Sequence, residues 1–179
     1  VFYSVDKGAH VINISFNIYN TSSMLEEALK KAKEKGVVIV TSAGNYGPYT
    51  YTYPAVYAET YSNVISVGSV KQPYGEAAES QYKTDEASSF SESFPVFAPG
   101  ASIASTFSSN IYDYENRYSR PGPLRLRPKS YFDFYGDISG TSQAANVVSG
   151  IVSMILSHEG ASAAAGIKKR LLETGTGKV

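Results

Sequence analysis

The stretch that decides the fold is VINISFNIYNTSSMLEEALKKAKEKGVVIVTSAGN, residues 11–45. It opens with a short apolar run, 11–16, rich in β-branched residues, which is typical of a buried strand. Ser23 and Glu26 then have the spacing of a capping box, and apolar residues follow with the periodicity of an amphipathic helix that stops at Gly36. A second apolar run at 37–40 completes the unit. Strand, helix and strand at this spacing predict a βαβ unit whose parallel strands are buried on both faces.

The rest of the chain extends this pattern. An apolar run at 64–70 predicts a third strand of the same sheet, and residues 94–100 return to the core before a sharp Pro-Gly turn. Residues 142–157 have the pattern of a helix that is apolar on nearly every side and therefore lies in the core. A shorter amphipathic helix at 162–173 should turn Leu172 inward and Lys168 outward. We predict an α/β fold: a doubly wound, mostly parallel sheet with helices on both faces.

Composition excludes several kinds of function. The 179 residues have the length of one domain, and sixteen basic residues balance sixteen acidic ones, so no overall field favours nucleic acid. No apolar run reaches the ~20 residues that span a bilayer, so we expect no membrane partner. Cysteine is absent, which excludes disulfides, thiolate metal sites and cysteine catalysis. Residues 108–135 are aromatic, basic and interrupted by prolines, which predicts an inserted loop.

Two short stretches carry the candidate chemistry. Residues 41–45 follow the second strand, at the edge where ligands bind in open parallel sheets. Gly140, Thr141 and Ser142 begin the long apolar helix, where backbone N–H groups and the positive end of the helix dipole stabilise negative charge. The Asn45 amide can donate a further hydrogen bond to the same oxyanion. Each pattern also has an ordinary interpretation, since Gly-Asn is common in turns and serine is common as an N-cap.

The order of these stretches resembles the subtilisin-like serine proteases, the subtilase family. The resemblance is carried by a series of blocks in the family's order: GAHVINISF, KEKGVVIVTSAGN, YPAVY, NVISVGSV, ASSFS, VFAPGASIAST and GTSQAANVVSGIVSMIL. Together they cover nearly the whole chain except the insertion at 108–135. Residues 1–179 are therefore interpreted as the carboxyl-side portion of a subtilase catalytic domain, incomplete on its N-terminal side.

The resemblance implies a serine endopeptidase that hydrolyses peptide bonds through an acyl-enzyme on Ser142, with Asn45 in the oxyanion hole. It implies that a polypeptide substrate pairs with one segment as an added strand and meets a second segment as a wall of the primary specificity pocket. Asn17 stands where the family often has glycine, so we expect it to crowd the substrate unless it adopts the same backbone angles. The implied substrate-binding residues are Ser15, Phe16 and Asn17 in the first segment and Ser42, Ala43 and Gly44 in the second.

The catalytic aspartate and histidine that the resemblance requires are absent from this sequence. The family places them in an Asp-Ser/Thr-Gly block and a His-Gly-Thr/Ser block, both ahead of the serine. Asp6, followed by Lys7 and Gly8, is a superficial match that lies too close to the first strand. His158 stands sixteen residues along the helix from Ser142, about 24 Å away, and His10 lies at the opposite end of the sheet. We expect this chain alone to be inactive or nearly so.

Three interpretations of the missing residues remain. The aspartate and histidine lie upstream in the full protein, or the cleft of a non-catalytic relative binds a peptide or partner, or a separate chain supplies the missing N-terminal half in trans. The family implies a secreted or cell-surface location. It also allows calcium, but no Asp-rich spacing assigns a metal site, and we expect no cofactor.

Overall fold

The computed structural model of this chain describes residues 1–47, 50–71, 83–84, 96–106, 127–128 and 135–175. The main sheet has four parallel strands in the order β1, β2, β3, β5, and a short strand, β4, pairs antiparallel with the end of β3. This architecture confirms the predicted α/β fold with a mostly parallel sheet. The strands are β1 Val11–Ile14, β2 Val38–Ser42, β3 Val64–Lys71, β4 Lys83–Thr84 and β5 Val96–Pro99.

The helices and a second, smaller sheet complete the fold. The helices are α1 Phe2–Asp6, α2 Ser23–Glu34, α3 Thr141–Glu159 and α4 Ile167–Thr174, with 3₁₀ turns at Ala55–Ala58 and Ala161–Gly166. The second sheet is antiparallel and has the order β6, β8, β7. Its strands are β6 Ile103–Thr106, β7 Arg127–Pro128 and β8 Tyr135–Ile138. Strand β8 leads almost directly into α3.

Successive side chains along β2 and β3 pack into two hydrophobic cores, one on each face of the sheet. On one face, Val38 and Val40 pack with the α3 residues Val148 and Val152. On the other face, Ile39 packs with Leu29 of α2. Successive strand side chains point to opposite faces, so a continuous apolar run supplies both cores at once. The helices therefore cover the sheet from both sides, as predicted.

Helix α3 is not buried all round, and that prediction is wrong. Val147, Ile151 and Met154 are exposed, with relative accessibilities of 36%, 42% and 73%. Only the strip that contacts the sheet is buried, because a helix of 3.6 residues per turn turns its other residues away from a single flat neighbour. These three residues lie at i, i+4 and i+7 and form an apolar strip on the open side of the helix.

The predictions for α2 and α4 also need correction. The side-chain cap of α2 is Ser22, whose Oγ accepts a hydrogen bond from the Leu25 N–H at 3.3 Å, rather than Ser23. In α4, Leu172 is exposed, whereas Lys168 is half-buried and donates to the Ala58 carbonyl. Burial lowers the pKa of Lys168 below its usual value. The predicted insertion at 108–135 lies outside the described residues, apart from β7 and Tyr135, the first residue of β8.

A close backbone approach at Gly100 fastens the start of α3 to the sheet. The Gly100 N–H donates to the Val70 carbonyl at 3.1 Å, and the Gly100 carbonyl accepts from the Gly140 N–H at 2.8 Å. A Cβ atom at Gly100 would lie 2.5 Å from Ser69 Oγ, 2.7 Å from the Gly140 oxygen and 3.0 Å from the Ala144 Cβ. Only glycine therefore fits between the end of β3 and the first turn of α3.

Replacing Gly100 with alanine should destabilise the protein by about 1–3 kcal/mol, because the Gly140 carbonyl cannot move aside without moving α3. The matched control is Gly166→Ala in the 3₁₀ turn before α4, where a Cβ meets nothing within 4 Å and φ is −98°. That change should stabilise the protein by about 0.4–1 kcal/mol, since alanine adopts these backbone angles and leaves the unfolded chain fewer conformations to lose. Both are measured by denaturant unfolding of the full-length protein. A Gly100→Ala variant as stable as the parent would contradict the close packing of Gly100 against the Gly140 carbonyl.

Candidate active site

The carboxyl ends of β1 and β2 and the amino end of α3 meet at one place. Strands β1 and β2 are parallel neighbours in register, with Ile14 opposite Thr41, so their following loops leave the same edge of the sheet. One loop contributes residues 15–17 and the other residues 43–45. The site residues predicted from the sequence are thus brought together around the start of α3.

Thr141, the first residue of α3, holds Asn45 in place. The Thr141 N–H donates to Asn45 Oδ1 at 2.9 Å, and the Thr141 hydroxyl lies 3.0 Å from the same oxygen and 3.2 Å from the Gly44 carbonyl. The hydroxyl oxygen also accepts from the Gly44 N–H at 3.1 Å, and the side chain is fully buried. Because Oδ1 is engaged by Thr141, the Asn45 carboxamide has a fixed orientation. A Cβ atom at position 140 would lie 3.1 Å from Asn45 Nδ2, so a glycine at this position avoids a close contact with the carboxamide.

Ser142 is the second residue of α3, and its interpretation as an ordinary N-cap is wrong. The N-cap is Gly140, and no side chain caps the helix. The Ser142 hydroxyl instead donates to the Ser15 carbonyl at 3.1 Å, while Ser15 Oγ donates to the Ser142 carbonyl at 3.2 Å. Asn13 Nδ2 in turn donates to Ser15 Oγ at 2.8 Å. The serine is half-buried and is positioned by the end of β1.

The first turn of α3 presents a positive electrostatic end to the site. The Thr141 N–H is bonded to Asn45 and the Gln143 N–H to the Gly140 carbonyl at 3.1 Å. No hydrogen-bond acceptor for the Ser142 N–H lies within the part of the chain that the structure describes. The backbone N–H of Ser142 and the carboxamide of Asn45, which Thr141 holds, thus both lie at the start of α3, an arrangement suited to negative charge on a bound oxygen.

Asn17 connects the two loops. Its Nδ2 donates to the Ser42 carbonyl at 2.8 Å, and the Ser42 hydroxyl donates to Asn17 Oδ1 at 2.9 Å. Ser102 is the one non-glycine residue with a positive φ in the described ranges, so Asn17 does not adopt angles that require glycine. Asn17 therefore differs from the glycine that the family often has here by its side chain, and not by a backbone conformation that only glycine would allow.

The remaining predicted substrate-binding residues differ in exposure. Phe16 is 65% exposed at the end of β1, whereas Ala43 and Gly44 are buried behind the second loop. Two exposed tyrosines lie nearby: the Tyr19 and Tyr46 rings pack with centroids 5.1 Å apart. A hydrogen bond with Tyr46 raises the pKa of Tyr19 above its usual value. Both loops thus carry aromatic surface beside the site.

Neither histidine lies near Ser142. His10 is exposed at the amino end of the sheet, where its carbonyl accepts from the Val38 N–H at 2.9 Å. His10 and Ser153 of α3 line the same surface hollow, and Ser153 is about 16 Å along the helix from Ser142 at ~1.5 Å per residue. His158 is exposed in the last turn of the same helix. The histidines therefore have the positions expected from the sequence.

The described ranges contain neither a metal cluster nor a membrane-spanning helix. No group of three or more histidine, aspartate or glutamate side chains there could hold a metal ion. No helix of the described residues is long and apolar enough to cross a membrane.

The family follows from comparison with known proteins. The sequence model of the subtilase family, peptidases S8, matches residues 1–178. The chain belongs to the subtilase family. It is 34% identical over 158 residues to the thermophilic serine proteinase of Bacillus sp. (strain AK1), covering 88% of this chain and 31% of that protein. It is 29% identical over 174 residues to subtilisin DY of Bacillus licheniformis, covering 97% of this chain and 52% of that protein.

A solved structure agrees with the subtilase fold. Fervidolysin from Fervidobacterium pennivorans, a keratinolytic enzyme related to subtilisin, superposes with a TM-score of 0.72 at 29% identity and covers 98% of this chain. The chain spans 24% of fervidolysin, and 31% and 52% of the two relatives above. This subtilase chain therefore corresponds to about half or less of the length of its relatives.

Replacing Thr141 with valine should destabilise the protein by about 1–3 kcal/mol, because the buried Gly44 N–H and Asn45 Oδ1 both lose their hydroxyl partner. Thr141→Ser is the matched control, since it keeps the hydroxyl and loses one methyl group, at a cost of about 0.8 kcal/mol. Unfolding of both variants in the full-length protein measures the difference. Equal stability of the two variants would show that the hydroxyl does not fasten the site.

Proposed function

We propose that Ser142 is the nucleophile of a subtilisin-like serine endopeptidase that hydrolyses peptide bonds in polypeptides. The observation that carries this proposal is the grouping at the start of α3: the Ser142 hydroxyl, the adjacent Ser142 N–H and the Asn45 carboxamide held by Thr141. Membership of the subtilase family supports it, because the relatives named above are serine proteases.

In the proposed reaction, Ser142 Oγ attacks the carbonyl carbon of a peptide bond and passes its proton to a base. The carbonyl oxygen becomes negatively charged and accepts hydrogen bonds from the Ser142 N–H and Asn45 Nδ2. The same base then donates the proton to the leaving amine, which leaves the acyl group on Oγ. Water hydrolyses this ester and restores the serine.

The base is not supplied by the described residues. The Ser142 hydroxyl donates to the Ser15 carbonyl, and a carbonyl oxygen cannot take a proton at neutral pH. Without a base in hydrogen-bond range, a serine hydroxyl stays protonated and reacts poorly. We therefore place the catalytic histidine and aspartate in a part of the catalytic domain that lies N-terminal to these residues, since the chain spans only 31% and 52% of the two relatives.

The N-terminal half could dock at the edge of β1 that has no neighbouring strand among the described residues. Within the described residues, β1 pairs only with β2. Helix α3 packs on β1, and its other side carries the exposed strip of Val147, Ile151 and Met154. A strand added in parallel to β1 would end at the same edge as Ser15. Residues after that strand would then stand beside Ser142. We propose that the missing N-terminal half docks here, either from the same polypeptide or from a separate chain.

A non-catalytic, peptide- or partner-binding subtilase is the second candidate. It is favoured by the bond from Ser142 to Ser15, which leaves the hydroxyl engaged and without a base in the described part of the chain. In that case the loops after β1 and β2 would bind an extended peptide without cleaving it. A secreted or cell-surface location and catalysis without a cofactor belong to the main proposal and derive from the family.

An active-site serine probe such as a fluorophosphonate should label Ser142 in the full-length protein, because an activated serine oxygen attacks phosphorus as it attacks a carbonyl carbon. Ser142→Ala should abolish labelling. The matched control is Ser153→Ala, on the same helix, whose hydroxyl donates to the Ser149 carbonyl far from the site. Labelling that survives Ser142→Ala contradicts the assignment, and absence of labelling in the parent together with peptide binding supports the non-catalytic candidate.

Asn45→Asp should lower kcat with little change in stability, because the new carboxylate keeps the oxygen that Thr141 bonds and loses the Nδ2 donor. We expect a loss of about 10²–10³-fold; this magnitude is the one known for the corresponding amide of subtilisin, a member of this family, and is not calculated from the present geometry. Asn45→Ala should lower both kcat and unfolding stability, since Thr141 also loses its acceptor. Unchanged kcat in both variants would remove Asn45 from the oxyanion hole.

A further inference from the structure

We propose that Asn17 determines substrate specificity by closing the crevice between the ends of β1 and β2, so that only a small side chain fits on the acyl side of the cleaved bond. This inference rests on the proposed function of Ser142. It assigns to one side chain a preference that membership of the family does not imply, since Asn17 stands at a position where the family often has glycine.

The position of the acyl residue follows from the geometry around Ser142. A carbonyl carbon bonded to Oγ lies beside the Ser15 carbonyl, because the hydroxyl is 3.1 Å from that oxygen. Its own oxygen points to the donors at Ser142 and Asn45. The acyl residue is thus flanked by the loop that follows β1 and the loop that follows β2. The space next to its side chain is the crevice between residues 15–17 and 42–45.

Asn17 spans that crevice. Neighbouring parallel strands lie about 4.8 Å apart, and the Asn17 carboxamide crosses from the β1 loop to the last residue of β2 with hydrogen bonds of 2.8 and 2.9 Å to Ser42. One bond uses the Ser42 carbonyl and the other its hydroxyl. The carboxamide is therefore held at both of its polar ends.

The closure is also rigid. Ser42 is fully buried, so withdrawing Asn17 would leave the buried Ser42 hydroxyl without its acceptor, which is costly. The loop after β2, on the other side of the crevice, is also fixed. Ala43 is buried, and its carbonyl accepts a hydrogen bond from the hydroxyl of buried Thr52 at 3.0 Å. A large side chain would have to break these contacts to enter. Glycine, alanine and serine side chains need no such rearrangement.

The test uses the full-length protein and two peptide substrates that differ only in the residue before the cleaved bond, alanine or phenylalanine. The parent should have the higher kcat/KM for the alanine substrate. Asn17→Gly should raise the phenylalanine-to-alanine ratio of kcat/KM by about 10–200-fold, the range that pocket size alone produces. Rapid labelling of Ser142 by the fluorophosphonate shows that the variant is folded and active.

Ser42→Ala is the matched control for a purely structural role of Asn17. It removes the hydroxyl that donates to Asn17 Oδ1 but keeps the Asn17 side chain and its bond to the Ser42 carbonyl. If Asn17 acts by filling the crevice, Ser42→Ala should change the ratio less than threefold. If Asn17 only ties the loops together, both variants should lower kcat/KM for the two substrates alike, which overturns the inference.

A binding measurement separates failure of this inference from failure of the proposed function. In the Ser142→Ala background, product peptides that end in alanine or phenylalanine are compared by calorimetry, with and without Asn17→Gly. The phenylalanine peptide should gain affinity relative to the alanine peptide when Asn17 is removed. An unchanged ratio overturns the role of Asn17 whether or not the parent labels at Ser142, whereas absence of labelling alone counts only against the proposed nucleophile.

Discussion

The site depends on a single buried hydroxyl, that of Thr141. It joins the first turn of α3 to the backbone at Gly44 and to the carboxamide of Asn45. In a dry environment such bonds are strong, and the loss of one partner is expensive. The helix that carries Ser142 and the loop that carries Asn45 therefore cannot shift independently. Gly100 adds a second constraint, because the backbone of α3 approaches too closely there for any side chain.

Helix α3 combines two roles that make different demands on its sequence. Its buried strip, which includes Ala144, Val148 and Val152, fixes the helix against the sheet and so aims its amino end at the loops after β1 and β2. Its open strip, Val147, Ile151 and Met154, remains exposed, and among the described strands β1 pairs with β2 alone. Apolar surface of this kind is stabilised when another element covers it. The same helix thus positions Ser142 and leaves an apolar surface exposed on its other side.

Much of the fold was predictable from local patterns. The continuous apolar runs that became β1, β2 and β3 were recognised because buried parallel strands need apolar residues on both faces. Helix α2 was recognised from its periodicity, with its cap misplaced by one residue. Helix α1 was not, since five residues are too few for helical periodicity. The small sheet of β6, β7 and β8 was missed for a related reason: its strands of two to four residues carry little pattern.

The sequence predicts which residues form the candidate site better than it predicts the contacts between them. The order of the motifs points to Ser142 and Asn45, yet it assigns no role to Thr141, although this residue stands between Gly140 and Ser142 in the Gly-Thr-Ser motif. Thr141 is important because it contacts Gly44 and Asn45, which lie nearly one hundred positions away in the sequence. A local sequence pattern cannot predict such contacts. The same holds for Asn17, whose bonds to Ser42 join the ends of two strands separated by a helix.

The sequence by itself determined the parallel α/β framework, the subtilase resemblance and the absence of a recognisable base for Ser142, because these depend on composition, periodicity and motif order. Tertiary structure alone decided which side of α3 is buried, that Ser142 is held by Ser15 rather than acting as a cap, and that Asn17 is hydrogen-bonded to Ser42. The physical reason is that these features arise where distant segments pack together. A hydrogen bond or a buried face exists only once both partners are in place.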